Sequence, residues 1–272
     1  MNAAHEAAAR ALAEDLSGYG DLAGRTIAGD GRARIAARAA GVLSGTEVVR
    51  EVAALVDARL EVTFLLKDGD RFAPGDTLGG VAGPLAGLLA MERTALNFLS
   101  RLSGVATTTA AFVAETAGTA TRIAATRKTT PGLRALEKAA VVHAGGLPHR
   151  FGLFDAAMVK DNHIRAAGSL TTAVEAVHAR LGHMHLVEVE TESLAQVQEA
   201  LDCRVPVILL DNADLEHVRA AVSLVGGRAV LEASGGVTLD QVRLLAETGV
   251  DVISVGALTT ASPWVDIALD ME

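Results

Sequence analysis

The chain falls into two rhythms, and Gly118 separates them. Before it, apolar positions come in unequal patches. Residues 3–16 are Ala-rich, with Leu12 and Leu16 four apart, which predicts a helix ended by Gly18, Gly20 and Gly24. Residues 32–39 alternate polar and apolar, the period of a half-buried strand. Ser44 with Glu47 three residues on has the form of a capping box, so a helix is expected over 44–57. Residues 60–66 and 76–82 read as strands, with turns at Asp68-Gly69 and Pro74-Gly75-Asp76. The first 82 residues thus read as a small α+β domain around an antiparallel or mixed sheet. From Pro84 to Thr116 the pattern is helical, with a broad stripe through Leu85, Leu88, Leu96, Leu99 and Leu102 and a break expected at Gly104. Arg93, Asn97 and Arg101 share one face of it, which periodicity alone makes a solvent face.

After Gly118 apolar runs alternate with helical segments. The runs are 122–126, 156–160, 185–190, 206–211, 229–233 and 250–255. The intervening helices are expected near 132–144, 169–181, 192–201, 214–225 and 239–248, with Ser169, Thr191, Asp214 and Thr238 as N-caps. Crossovers this short mean a parallel sheet. Counting does not decide whether it closes, since six strands is fewer than the usual eight of a barrel.

The strand ends carry the chemistry. They read Thr126-Arg127-Lys128, Lys160-Asp161-Asn162-His163, Glu188-Val189-Glu190, Asp211-Asn212, Glu232-Ala233-Ser234-Gly235-Gly236 and Gly256-Ala257-Leu258-Thr259. Ligands bind at that end of parallel α/β folds. Arg127, Lys128, Arg150 and Lys160, with His149 beside them, are the types that hold a small polyanion, Arg by paired hydrogen bonds and Lys as a point charge. Ser234-Gly235-Gly236 before a helix at Thr238 offers free backbone N–H groups to a phosphate, as does Gly256-Ala257. Glu188 and Asp211 suit a Mg²⁺ ion, sugar hydroxyls or a developing positive charge, and stand equally as structural partners of the cations.

Composition narrows the partners. Half of the 272 residues are hydrophobic and only 3% aromatic, so the core is built from Ala, Val, Leu and Ile. A net charge of −9 argues against a nucleic-acid surface and makes the cation cluster a local anion site. The single Cys203 excludes a disulfide framework and a cysteine-rich zinc site. No 18-residue apolar run or signal-peptide core is present, so a cytoplasmic protein without membrane contact is expected. Walker A, GxGxxG, HExxH and GxSxG motifs are all missing from the sequence.

Several segments together resemble the quinolinate phosphoribosyltransferases: Glu92-Arg93-Thr94-Ala95-Leu96-Asn97, Thr126-Arg127-Lys128-Thr129-Thr130-Pro131-Gly132, His149-Arg150, Lys160-Asp161-Asn162-His163, Leu210-Asp211-Asn212, Ser234-Gly235-Gly236 and Val255-Gly256-Ala257-Leu258-Thr259. The resemblance implies an N-terminal α+β sandwich-like domain, residues 1–105 with the long connecting helix, packed on an incomplete six-stranded parallel α/β barrel, residues 106–272, whose last helix packs back on the first domain. It implies transfer of phosphoribose from phosphoribosyl pyrophosphate (PRPP) to quinolinate with decarboxylation, a Mg²⁺ requirement and a homodimer or larger oligomer. Arg127, His149, Arg150 and Lys160 take the place of the quinolinate pocket, with Arg93 lent by the neighbouring subunit. Lys128 matches a donor contact, Glu188 and Asp211 the ribose and metal carboxylates, and Ser234, Gly235, Gly236 and Gly256 the 5′-phosphate site. Lys160, Glu188 and Asp211 are the expected catalytic residues. Thr260, Pro148, Ala139 and Ala23-Gly24 depart from the family pattern without removing a pocket cation. A paralogue acting on another aromatic acid, a Schiff-base aldolase using Lys160 and a non-catalytic metabolite sensor are the competing readings.

Overall fold

The computed structural model describes residues 2–272. In chain order the first elements are α1 (Ala3–Leu16), β1 (Asp30–Ala37), β2 (Gly41–Val42), α2 (Thr46–Val56), β3 (Glu61–Phe64), β4 (Arg71–Phe72), β5 (Thr77–Pro84) and α3 (Leu85–Glu115). The repeat region follows with β6 (Arg122–Ala124), α4 (Arg134–His143), β7 (Ala157–Val159), α5 (Asp161–Ala167), α6 (Leu170–His178), β8 (Val187–Thr191), α7 (Leu194–Asp202) and β9 (Val207–Asp211). It ends with α8 (Leu215–Val225), β10 (Val230–Ser234), α9 (Leu239–Ala246), β11 (Val252–Ser254), α10 (Ala257–Thr260) and β12 (Ile267–Met271). Among the described residues no helix is long and apolar enough to cross a membrane.

Two compact units result: residues 1–110, 129–144 and 261–272 form one, and residues 111–128 and 145–260 the other. The first holds an antiparallel sheet in the order β12-β1-β5-β3. Its apolar face includes Ile35, Leu78, Val81 and Ile267, all buried. The final segment, expected as a helix, is therefore a strand: β12 pairs with β1 from Ala33↔Met271 to Ala37↔Ile267. The helix expected from Ser44 starts at Thr46 without a side-chain cap. Ser44 is buried instead, with its hydroxyl 3.0 Å from His143 Nδ1.

No break occurs at Gly104, since α3 runs unbroken from Leu85 to Glu115. A Cβ on Gly104 would lie 2.1 Å from the Pro263 carbonyl oxygen. This glycine is there for close approach of another chain segment, which a pattern along the helix does not show. On the same helix Arg93 and Asn97 are exposed. Arg101 departs from the expected solvent face and pairs with the fully buried Glu137 at 2.7 Å.

The second unit is a six-stranded parallel sheet in the order β6-β11-β10-β9-β8-β7. Among the described residues no ladder joins β6 to β7, so the barrel is incomplete. Val189, Ile208, Leu210, Leu231 and Ile253 are buried in it, the short aliphatic core that few aromatics impose. Ser169 and Asp214 cap α6 and α8 as expected, while Thr191 closes β8 and Ser193 caps α7 in its place.

Candidate active site

The ends of these strands enclose a cavity of about 320 Å³, lined by Thr126, Arg127, Lys128, His149, Arg150, Met158, Lys160, Glu190, Leu209, Glu232, Ser234 and Ser254. Six of the residues expected to bind anions, Arg127, Lys128, His149, Arg150, Lys160 and Ser234, therefore line one cavity. Arg150 Nη1 donates to the Ala156 carbonyl at 3.3 Å and Nη2 contacts Met158 Sδ at 3.3 Å. Its Nε is buried without a hydrogen-bond partner. Burial and the neighbouring Arg127 charge hold the Arg150 guanidinium below its ordinary pKa. A buried donor with no acceptor, crowded by a second cation, is what an anionic ligand would relieve.

His149 occupies the left-handed region at φ 52°. Its Nδ1 accepts the Arg150 backbone N–H at 2.8 Å. Nε2 lies 3.2 Å from Glu232 Oε1 and 3.7 Å from Glu188 Oε2. Burial opposes charge on the ring, but hydrogen bonds and attraction from Glu188 and Glu232 outweigh it and raise His149 to about 9. The acceptor role of Nδ1 opposes this, since protonation there would set two N–H donors against each other at 2.8 Å. Burial likewise pushes the Glu188 carboxyl up, with the Glu232 charge adding to it and His149 and Arg150 opposing.

The structure separates the two carboxylates expected to act together. Glu188 is 3% exposed and spends Oε2 on His149. It pairs with Val207, the first residue of β9, whereas Asp211 ends that strand. Four steps of strand put them roughly 13 Å apart along the sheet. Glu190, two residues on, takes the place at the cavity. The β7–β8 register runs Met158↔Glu188 and Val159↔Val189, so Lys160 comes opposite Glu190. Lys160 Nζ donates to Glu190 Oε2 at 2.6 Å. Glu190 and Glu232 are the cavity-lining carboxylates to which the sequence alone assigned no role. The alternation in Val187-Glu188-Val189-Glu190 signalled two carboxylates on one strand face, without saying which lies at the mouth.

The remainder of Lys160-Asp161-Asn162-His163 builds the start of α5. His163 Nδ1 accepts the Lys160 N–H at 3.0 Å, and Asn162 Oδ1 accepts from Arg165 at 3.4 Å. At the other side, Ser234 also borders a second cavity of about 410 Å³ with Asn212, Asp214, Gly235 and Gly236. Gly235 has φ 104°, and a Cβ there would meet Asn212 Oδ1 at 2.3 Å, so this turn requires glycine. A Cβ on Gly256 would meet Lys128 Cδ at 3.1 Å. Thr259 Oγ1 donates to the Lys128 carbonyl at 2.6 Å, and Thr260 Oγ1 donates to the Gly256 carbonyl at 3.1 Å. Arg93 lies in the other unit and lines a separate cavity of about 290 Å³ that includes Asn97, Arg101 and Trp264.

Metal-binding capacity is uneven. His149, Glu188 and Glu232 bring one nitrogen and two carboxylate ligand atoms within 4.8 Å of one another. Transition metals accept such a set, and Glu188 Oε1 is buried there without a hydrogen-bond partner, but the His149–Glu232 contact at 3.2 Å and the nearby Arg150 charge already offset the carboxylates. Asp211 is half-buried at a strand end, and its carboxylate accepts from Asn212 Nδ2 at 2.9 Å. A single carboxylate of this kind suits a hard cation that arrives with substrate phosphates.

Parallel α/β architecture with a cation-lined cavity at the strand ends and a glycine turn beside it defines an enzyme for small polyanionic substrates. Residues 22–103 match the model described as quinolinate phosphoribosyl transferase, N-terminal domain, and residues 105–270 match the corresponding C-terminal domain. The chain belongs to the quinolinate phosphoribosyl transferase family. It is 43% identical to a probable nicotinate-nucleotide pyrophosphorylase [carboxylating] of Synechocystis sp., over 96% of this chain and 90% of that protein. It is 40% identical to the nicotinate-nucleotide pyrophosphorylase [carboxylating] of Mycobacterium leprae, over 100% of this chain and 98% of that protein. The solved structure of the nicotinate-nucleotide pyrophosphorylase from Francisella tularensis superposes with a TM-score of 0.96 at 34% identity, covering 99% of this chain and 96% of that one.

Proposed function

We infer that the protein transfers the phosphoribosyl group of PRPP to quinolinate with loss of CO2, giving nicotinate mononucleotide and pyrophosphate, a step of NAD biosynthesis. The observation that carries this reading is the buried, partnerless Nε of Arg150 in a cavity shared with Arg127, Lys128 and Lys160. An acidic chain that concentrates cations there is built for a dianion.

Arg127, Arg150, His149 and Lys160 bind the acid, and Lys128 binds the donor. Ser234, Gly235, Gly236 and Gly256 receive the 5′-phosphate, supported by a turn that leaves backbone N–H groups free. Glu190, not Glu188, is the carboxylate beside the sugar, because Glu190 lines the cavity and Glu188 lies buried behind it against His149. The sugar carbon gains positive charge as pyrophosphate leaves, and a cavity carboxylate lowers that barrier. Loss of the 2-carboxylate leaves an electron pair at C2 of the ring, which the Lys160 ammonium steadies. Asp211 fits Mg²⁺ and would hold it with the donor; the ion supplies charge neutralisation of the departing pyrophosphate. Arg93 is exposed on α3 and lines no part of this cavity, which supports its being supplied to a second subunit in a homodimer. The enzyme works in the cytoplasm, on the domain organisation expected for residues 1–105 and 106–272.

The aldolase reading is disfavoured, since a lysine bound to a carboxylate at 2.6 Å is not the desolvated amine a Schiff base requires. The test is one assay with PRPP, Mg²⁺ and quinolinate, with nicotinate in parallel. Product and CO2 from quinolinate alone are expected. No product from either acid would overturn the reading.

A further inference from the structure

Lys160 meets a carboxylate of the neighbouring strand. Its Nζ is 2.6 Å from Glu190 Oε2, with the lysine side chain 43% exposed and the glutamate 14%. The pair follows from adjacent places on β7 and β8. Of the carboxylates lining the cavity, Glu232 is spent on His149, so Glu190 is the one free to exchange partners. Arg150, in contrast, keeps a buried donor unused. Arg150 and Lys160 are close together, because Arg150 Nη2 contacts Met158 Sδ and Met158 precedes Lys160 by two residues on one strand face. A monoacid can satisfy the arginine and leave the lysine with its glutamate. A diacid with carboxylates on neighbouring ring carbons reaches both.

We propose that Lys160–Glu190 is an exchangeable ion pair: the acid's second carboxylate takes Lys160 from Glu190, and the released carboxylate turns to the sugar of the donor. The proposal rests on the quinolinate reading above. Its consequence is order in the electrostatics. Without the acid, Glu190 is neutralised by Lys160 and offers little to positive charge on the sugar. With the acid bound, an uncompensated carboxylate appears in a mostly water-excluded place, where its field is strongest. Donor activation is thus tied to the presence of the correct acid. Lys160 exchanges one oxygen anion for another and so keeps a counter-charge, while Glu190 gives up its own, a cost that positive charge on the sugar offsets.

Coupling between two ligands is reciprocal, so it can be read from either side. Phthalate (benzene-1,2-dicarboxylate) has both carboxylates and no ring nitrogen, so it occupies the acid site without reacting. Calorimetric titration of PRPP with Mg²⁺ is expected to show affinity raised about fivefold or more by saturating phthalate, the lower end of ordinary coupling. Saturating nicotinate should leave PRPP affinity unchanged within twofold. In Glu190→Gln, phthalate alone should bind more tightly than to wild type, and its effect on PRPP should vanish. Equal coupling by nicotinate and phthalate in the wild type would overturn the proposal, and that comparison needs no variant. So would coupling retained in Glu190→Gln, or no phthalate binding to an enzyme that turns over quinolinate. Failure of the quinolinate reading shows separately, as absence of nicotinate mononucleotide in the wild-type assay.

Discussion

Glu137 lets the stability of the first unit be predicted from its contacts. Its carboxylate is fully buried on α4 and accepts from Arg101 Nε at 3.2 Å and Nη2 at 2.7 Å. It also accepts the Thr130 backbone N–H at 2.9 Å and the Thr130 hydroxyl at 2.8 Å. Arg101 is 13% exposed and reaches the Ser262 carbonyl at 3.0 Å. Glu137→Ala removes a counter-charge from a buried guanidinium and the acceptor of two Thr130 donors. Breaking a buried pair from one side costs about 3–5 kcal/mol. At about 2–4 °C per kcal/mol for a chain of this size, the thermal midpoint should fall by roughly 6–20 °C. Scanning calorimetry reads the midpoint, and urea unfolding reads the free energy. Arg101→Met with Glu137→Met should recover the part of the loss that comes from the stranded guanidinium, because an apolar pair replaces the ions, while the two Thr130 donors stay without their acceptor. A single variant within about 1 kcal/mol of wild type, or a double variant no better than the single one, would refute this account of the pair.

Gly104→Ala gives a test in which the sign decides. Helix propensity alone favours alanine by about 1 kcal/mol, yet the contact at 2.1 Å to the Pro263 carbonyl predicts net destabilisation in urea unfolding. For pH, His149 is raised to about 9 when folded, against an ordinary 6.5. Its contribution to stability is therefore complete below pH 6.5 and lost as pH rises through 9. The thermal midpoint should decline across that interval in wild type and less steeply in Glu232→Gln; a rising midpoint contradicts the pairing. Mixing inactive Arg93→Ala with inactive Lys160→Ala should restore part of the activity if subunits exchange and Arg93 acts across an interface. No recovery from demonstrably mixed dimers would place Arg93 outside the site. Chelation of Mg²⁺ should abolish turnover, and restoring the ion should return it.

The repeat was legible because each parallel strand buries both faces and each crossover helix carries a stripe, so strand and helix both write themselves into local sequence. What escaped depends on pairing across distance. Ile267–Met271 is a short run that becomes a strand only beside β1. Gly104 reads as a helix breaker until the Pro263 carbonyl is brought against it. Glu188 and Glu190 have the same parity on one strand, and only the register with β7 puts Glu190 opposite Lys160 and leaves Glu188 with His149. Arg127, Lys128 and Lys160 were readable because they follow strands. The partner of Lys160 was not, because Glu190 sits on a different strand.

The pairing of β12 with β1 also sets a timetable. On the ribosome, Ala37 waits for Ile267 before that edge of the first sheet is covered. At roughly 5–20 residues per second the wait is tens of seconds. For that interval the nascent chain carries a row of unanswered N–H and C=O groups beside a largely apolar strand, the template on which β-rich intermediates join one another. The half-made molecule is thus more prone to self-association than one in which the five residues of β12 have followed and paired with β1.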